Sequence, residues 1–389
     1  MLDEFNVLDA VIVGAGPAGC AAAYDLAHAG RSVLLLDTRT FPRPKACACG
    51  LTRKTLAALR YSVAPIVERE CSEIVLQQAS EDAARCEVRV RTRSPICAMA
   101  VRERFDAFCL QQTLAAGATL QKIEGIVALR ETGDGVELDV GTAEGEETLR
   151  AAVLIGADGS NGQTRRLSQP TAAAWYTRGF ALEACVPYAE LPAKLPGGGA
   201  AHDLVFDFAP LQGGYGWLFP KGNHINIGVG AFAPEADEAQ LRSVTRDLLT
   251  GYAAQKLGVE NLPHITGQHL GMGGHAYVPR GRVLLAGDAA GLSDPLTGEG
   301  IHSAIVSGQA AAAAILDSKP DLAAAYARRV RPLQETLAFS HRAARAFYAE
   351  PERGFRAMRM PLLRSLILKT YADGLPQTRM IAAMAKLAV

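Results

Sequence analysis

The chain has 389 residues, 49% of them hydrophobic and 21% charged, and its 40 basic and 40 acidic side chains cancel at neutral pH. That length and apolar content exclude low-complexity disorder and suffice for two or three lobes with a sizeable core. Zero net charge excludes a whole-chain nucleic-acid binder, and eight irregularly spaced cysteines without a CxxC pair exclude a zinc ribbon or a disulfide framework, which points to a reducing, cytoplasmic setting. The opening MLDEFNVLD carries acids where a secretory leader carries bases, so no targeting segment is expected. Residues 9–37 read as strand, tight turn, helix and strand, and residues 40–50 as a loop containing Pro42 and Pro44. From 72 to 94 the alternation of CEVRVRTR predicts strands of a different sheet, followed by a helix over 103–116 and strands in VELDV and AAVLIGADG. Residues 171–267 are rich in aromatics, glycine and alternation, with one helix expected near 237–256. GRVLLAGDAAG is a buried strand entering a glycine turn, and everything after 298 reads as helical. The apolar stretch His302 to Leu316 is shorter than the ~18–20 residues that span a bilayer, so a buried helix is expected there.

The strongest chemical signal is Gly14-Ala15-Gly16-Pro17-Ala18-Gly19 between strand and helix, with Asp37 ending the next strand. Gly14 permits the turn, Gly16 lets the backbone approach a pyrophosphate, and Gly19 lets helix and strand pack closely. The helix N-terminus offers amide donors to phosphate, and Asp37 suits a ribose hydroxyl. A second block follows RVLLA: Gly287-Asp288, then Asp294-Pro-Leu-Thr-Gly298-Glu299-Gly300-Ile301. Arg102 in RERFD and Asp158-Gly159 in LIGADGSNGQTRR stand beside these two. Together the four blocks resemble the FAD-dependent family of aromatic hydroxylases, flavin halogenases and geranylgeranyl reductases over about residues 9–310. The resemblance implies an FAD cofactor contacted by Gly14, Gly16, Pro17, Ala18, Gly19, Asp37, Cys47, Ala48, Gly50, Arg102, Ile126, Asp158, Gly159, Asp288, Gly298, Gly300 and Ile301. It also implies an α/β fold, with a Rossmann-type FAD-binding domain in three blocks (1–64, 97–170 and 268–318). A mostly antiparallel β-sheet substrate domain (65–96 and 171–267) is inserted, and a helical region (319–389) ends the chain.

Two further motifs resemble the geranylgeranyl reductases in particular. Phe41-Pro-Arg-Pro-Lys45-Ala-Cys47-Ala48-Cys49-Gly50-Leu51-Thr52 is similar to their lysine–cysteine–glycine loop, whose cysteine faces substrate, which gives Cys47 the catalytic position. Ala48 and Cys49 stand where small glycines are usual, and glycine allows a positive φ that alanine resists. Tyr215-Gly-Trp217-Leu-Phe219-Pro220 is similar to the aromatic signature lining the substrate pocket, and Tyr215 argues against the halogenases, which carry a tryptophan pair near that turn. Taken singly, each of these aromatics has core packing as its competing reading. No histidine or cysteine cluster has metal-ligand spacing, so no metal is expected. No second strand–GxGxxG–helix unit exists for NAD(P)H, so that donor, or another reductant, would reach the flavin only transiently.

The reading that unites these motifs is an FAD-dependent reductase that saturates carbon–carbon double bonds of a prenyl or other hydrophobic substrate. An isolated alkene accepts hydride only if a proton donor relieves the charge developing on its other carbon, and a thiol of ordinary pKa (~8.5) is protonated at neutral pH. The alternatives are an FAD-dependent monooxygenase on an apolar substrate and a non-catalytic lipid carrier on the same fold. Residues 319–389 hold 13 Lys and Arg against 5 Asp and Glu, and Met358 to Lys369 mixes leucines with arginines. Such a segment is either an interfacial helix at a membrane surface or a cap on the flavin domain.

Overall fold

The structure is a computed structural model, and it describes residues 7–79, 85–196, 200–234, 238–317 and 321–374. One seven-stranded sheet holds β1 (Leu8–Val13), β2 (Val33–Asp37), β8 (Thr119–Lys122), β9 (Gly125–Glu131), β10 (Val136–Thr142), β11 (Gly145–Gly156) and β17 (Val283–Leu285). Its order is β8-β2-β1-β11-β10-β9, with β17 beside β11. β1 lies parallel between β2 and β11, while β9, β10 and β11 form an antiparallel meander. A parallel core strand must be apolar on both faces, and Ala10 to Val13 are all at least 95% buried. One face packs against α1 (Pro17–His28), α3 (Arg102–Ala115), α7 (Ile301–Leu316) and α8 (Leu322–Ala349), and on the other Val11, Val13 and Leu36 meet Val136, Leu138 and Val140 of the meander.

The second seven-stranded sheet holds β5 (Glu73–Ala79), β6 (Arg85–Arg91), β12 (Thr177–Pro187), β13 (Val205–Asp207), β14 (Gly214–Pro220), β15 (His224–Ala231) and β16 (Thr266–Met272). Its order is β16-β12-β15-β14-β13-β5-β6, antiparallel except for β13 against β5. The expected domain border at 267/268 falls inside β16, which pairs with β12 from Thr177↔Met272 to Glu183↔Thr266. A three-stranded sheet of β3 (Gly50–Thr52), β7 (Cys97–Met99) and β4 (Arg69–Cys71), in that order, draws strands from both expected domains. The remaining helices are α2 (Arg53–Ala58), α4 (Gln163–Ser168), α5 (Glu238–Ser243), α6 (Arg246–Leu257), α9 (Pro351–Arg359) and α10 (Pro361–Asp373).

Two helices expected to be continuous are broken. Over 237–256, Thr245 is extended and its hydroxyl accepts the Leu248 N–H (3.1 Å), so it caps α6 and separates it from α5. Between α9 and α10, Met360 is extended because Pro361 follows it and disfavours the helical region for the preceding residue. Among the described residues no helix is long and apolar enough to cross a membrane.

Period-two alternation splits the second sheet into two unlike faces. Leu182, Ala184, Val186, Leu218, Ile225, Ile227 and Val229 pack on Leu249, Ala253 and Leu257 of α6. The opposite face carries Tyr215, Trp217 and Phe219 on β14, Asn226, Gly228 and Gly230 on β15, and Ala181, Glu183 and Cys185 on β12. These register as three cross-strand rows, the middle one being Trp217–Gly228–Glu183. This second face is the floor of the site.

Candidate active site

At the first glycine block the chain leaves β1 and turns sharply. Gly14 has φ +100° and donates its N–H to the Leu36 carbonyl (2.7 Å), and a Cβ there would overlap the Ala157 peptide. Beside Gly16 the first heavy atom a Cβ would meet is Arg43 Nη2 at 3.6 Å, so the approach to its backbone is open. Pro17, Ala18 and Gly19 then start α1, whose first turn has no side-chain cap. Asp37 Oδ2 accepts the Ala15 N–H (2.9 Å), which holds this carboxylate against the same turn.

Three cations converge here. Arg102 is buried, and its Nε donates to Asp106 Oδ1 (2.6 Å). Arg43 Nη2 stands 3.3 Å from Asp106 Oδ2, a buried oxygen without a hydrogen-bond partner. Burial, and then the charge of Arg102, push the Lys45 ammonium below the usual lysine value. Two carboxylates, Asp106 and Asp288, thus face three basic groups next to an open glycine and a helix N-terminus. That surplus fits a pyrophosphate. Sequence reasoning missed Arg43, although it lies in the loop already singled out.

Two residues expected at the cofactor also have partners within the protein. Ile126 sends its side chain into the cluster with Val11 and Leu36, while its N–H and carbonyl are both engaged by Gln163 (3.0 and 3.1 Å). Asp158 accepts the Thr164 N–H and hydroxyl (2.8 and 2.9 Å), so its carboxylate caps α4, and Gly159 at φ +79° makes the intervening turn.

The second glycine block is brought to the same cleft. Asp288 Oδ1 accepts the Ser293 hydroxyl (2.8 Å), and a Cβ on Gly300 would meet that same oxygen at 3.2 Å, so Asp288 adjoins the Gly298–Ile301 turn. Asp294 shapes this turn by accepting the N–H groups of Leu296 and Thr297 (2.8 and 3.1 Å). From α8, Ser340 donates to Asp294 Oδ2 (2.8 Å) and the Tyr348 hydroxyl to the Leu296 carbonyl (2.8 Å). The first amides of α7 have no intrahelical acceptor; Glu299 Oε1 takes that of His302 (2.6 Å), which leaves those of Gly300 and Ile301 for a cofactor ring.

The aromatic floor meets both loops. The Tyr215 hydroxyl donates to the Thr297 carbonyl, tying β14 to the glycine turn. Phe219 packs on the Cys47 loop, because a Cβ at Gly50 would lie 3.0 Å from its ring. Trp217 lies flat across Gly228 and donates Nε1–H to Asn226 Oδ1 (2.7 Å). Alternation places Pro220 with Gly216 and Leu218 on the other face, away from this floor. Cys47 is half-buried, its Sγ accepts the Cys49 N–H (3.4 Å), and its charge would be felt by both Arg102 and Tyr215. Cys49 takes the positive φ that the motif reserves for glycine, at +48°. Beneath the loop lie groups the sequence did not disclose. Glu183 Oε1 accepts the Cys47 N–H (2.8 Å), and the Lys221 ammonium donates to the carbonyls of Ala48 and Cys49. Burial pushes the Glu183 carboxyl above the usual carboxylate range, against the pull of the Cys47 N–H and the Asn226 amide.

Comparison with known proteins follows this geometry. Residues 7–177 match the family described as FAD binding domain. The chain is 33% identical over 316 residues to menaquinone reductase of Mycolicibacterium smegmatis, covering 78% of this chain and 75% of that protein. It is 27% identical over 331 residues to digeranylgeranylglycerophospholipid reductase 1 of Methanopyrus kandleri, covering 82% and 84%. Among solved structures, a geranylgeranyl bacteriochlorophyll reductase-like protein from Thermoplasma acidophilum shares the fold, with a TM-score of 0.72 at 20% identity over 94% of this chain and 92% of that one.

Proposed function

The chain belongs to the geranylgeranyl reductase family of FAD-dependent oxidoreductases, and from that premise we propose that it saturates a carbon–carbon double bond in a prenyl or comparably apolar chain. When bound and reduced, FAD supplies the hydride. The protein's share is to hold the cofactor with Arg43, Arg102, Asp37, Asp288 and the amides at Gly16, Gly300 and Ile301, to exclude water, and to deliver a proton. The observation that carries this reading is Cys47. It is a thiol set between the cationic cofactor cleft and a floor made of Tyr215, Trp217 and Phe219. The aromatic rings bind an alkyl chain and offer it no competing nucleophile, while the thiol donates its proton to the carbon opposite the one that receives hydride. The thiolate left behind regains its proton from solvent as product leaves. NAD(P)H, or another small reductant, is the proposed electron source, by transient access to the cleft.

The basic C-terminal region supports a further part of this reading: peripheral contact with an anionic membrane, where such a substrate resides. Phe355 and Met358 of α9 are buried against Val88 and Val90, and Ala372 of α10 is buried in the floor cluster, so these helices do cap the sheet. Met360, Leu362 and Ile367 nevertheless stay exposed, at 52%, 66% and 39%, among Arg356, Arg359, Arg364 and Lys369.

The reductase reading is tested by adding a polyprenyl lipid to dithionite-reduced protein under anaerobic conditions. Reoxidation of the flavin absorbance supports it. Reoxidation that needs oxygen and yields an oxygenated lipid would instead support monooxygenation, and protein that purifies without flavin would support a carrier.

A further inference from the structure

The Cys47–Cys49 loop is conformationally expensive. Cys49 is neither glycine nor asparagine, yet it sits at φ +48°, a region that an ordinary L-residue rarely adopts. Strain of that kind persists only where the surroundings over-determine it. Here the surroundings are two charged side chains from the second sheet, far away in sequence. Glu183 comes from β12, 136 residues from Cys47, and Lys221 from the β14–β15 turn, 173 residues from Ala48. Both are at least 92% buried.

We propose that Glu183 is a positioning residue for Cys47. Its carboxylate fixes the Cys47 N–H from below, and Lys221 fixes the Ala48 and Cys49 carbonyls from the side. Between them they hold Cys49 in the left-handed conformation that carries its N–H to Cys47 Sγ. The three contacts act on successive residues of one short loop, so together they set where the thiol points. Asn226 completes the arrangement. It accepts from Trp217 through Oδ1, and its amide reaches Glu183, so the aromatic floor and the thiol loop are aligned by one polar chain. The catalytic part of this inference rests on the reading of Cys47 as proton donor, whereas the positioning itself is measured without any substrate.

The test uses flavin-loaded protein and native-state alkylation by iodoacetamide, with the rate at Cys47 read by peptide mass mapping. Glu183→Gln keeps an acceptor oxygen and is expected to label Cys47 within about threefold of wild type, whereas Glu183→Leu frees the loop and raises labelling about tenfold or more. Flavin content and absorbance serve as the check on folding, and should Glu183→Leu lose flavin, Lys221→Met is read in its place with the same expectation. In turnover, Glu183→Leu is expected to lower kcat on the order of tenfold with KM within about twofold, since orientation and not chain binding is lost. Cys49→Gly, which takes a positive φ without strain, is expected to restore much of both effects in the Glu183→Leu background. Wild-type labelling of Cys47 in flavin-replete Glu183→Leu and Lys221→Met would overturn the proposal. If labelling responds while no prenyl lipid is reduced, the positioning stands and the reductase reading falls.

Discussion

Gly228 is where the smallest change tests the floor. An added Cβ would lie inside the Trp217 indole, 2.5 Å from Cη2 and nearer to Cζ2 and Cε2, and the ring is confined by Asn226 on one side and Tyr215 on the other. Gly228→Ala therefore forces the indole off the sheet. Overpacking of this kind costs about 1–3 kcal/mol, and breaking the buried Trp217–Asn226 hydrogen bond costs about 1–3 kcal/mol more. The two overlap, so a loss of roughly 2–5 kcal/mol is expected. Thermal melting followed by flavin release reads the loss, and tryptophan emission reads the displacement, since Trp217 is one of only two tryptophans. The clash is the cause only if it vanishes with the ring. Once Trp217→Phe has been introduced, Gly228→Ala should therefore cost less than half of what it costs alone. An unchanged melting midpoint and unchanged emission in Gly228→Ala would refute the packing reasoning.

Replacing Cys47 by serine keeps the shape and removes the acidic proton, so flavin content should persist while alkene reduction slows on the order of 10²-fold, as measured by single-turnover reoxidation. Gly16→Val fills the approach beside Arg43, and purified protein should be colourless. His302, largely buried at the start of α7, has its pKa pushed down by burial from 6.5 to about 4. The unfolded chain therefore takes up that proton first: the stabilisation is complete above pH 6.5 and is lost as pH falls toward 4, by at most roughly 3 kcal/mol, and His302→Gln should flatten that loss in urea titrations. Sedimentation with vesicles should show binding to anionic lipid at low salt and release at high salt, because each base near the surface contributes ~1 kcal/mol and is screened. Equal, negligible binding to anionic and neutral vesicles would leave α9 and α10 as a cap.

What could be read in the sequence is what is encoded locally. Gly14, Gly16, Gly19 and Asp37 belong to one strand–turn–helix–strand unit, so spacing alone places them, and Tyr215, Trp217 and Phe219 share a face because a strand alternates. The polar underside of the Cys47 loop was not legible, since Glu183 and Lys221 reach it across 136 and 173 residues. A signal for Glu183 did exist: it is the one acid in the apolar run FALEACVP, and an acid there must find a buried partner. Asp158 and Ile126 have partners within the protein that spacing did not show. Asp158 Oδ2 is taken by Thr164 and the Ile126 backbone by Gln163, which only the turn into α4 brings near, while Asp158 Oδ1 stays buried without a hydrogen-bond partner. The break at Met360 was legible in Pro361, but amphipathic spacing overrode it.

The central claim is that Cys47 and a bound flavin together saturate an apolar double bond. It is tested most directly by mass spectrometry of a defined prenyl lipid, a menaquinone or a digeranylgeranyl glycerolipid, after anaerobic incubation with chemically reduced protein. The expected result is a gain of two hydrogens per double bond reduced, abolished or strongly slowed in Cys47→Ser. Lipid that returns unchanged from flavin-replete protein, or that gains an oxygen once air is admitted, would contradict it.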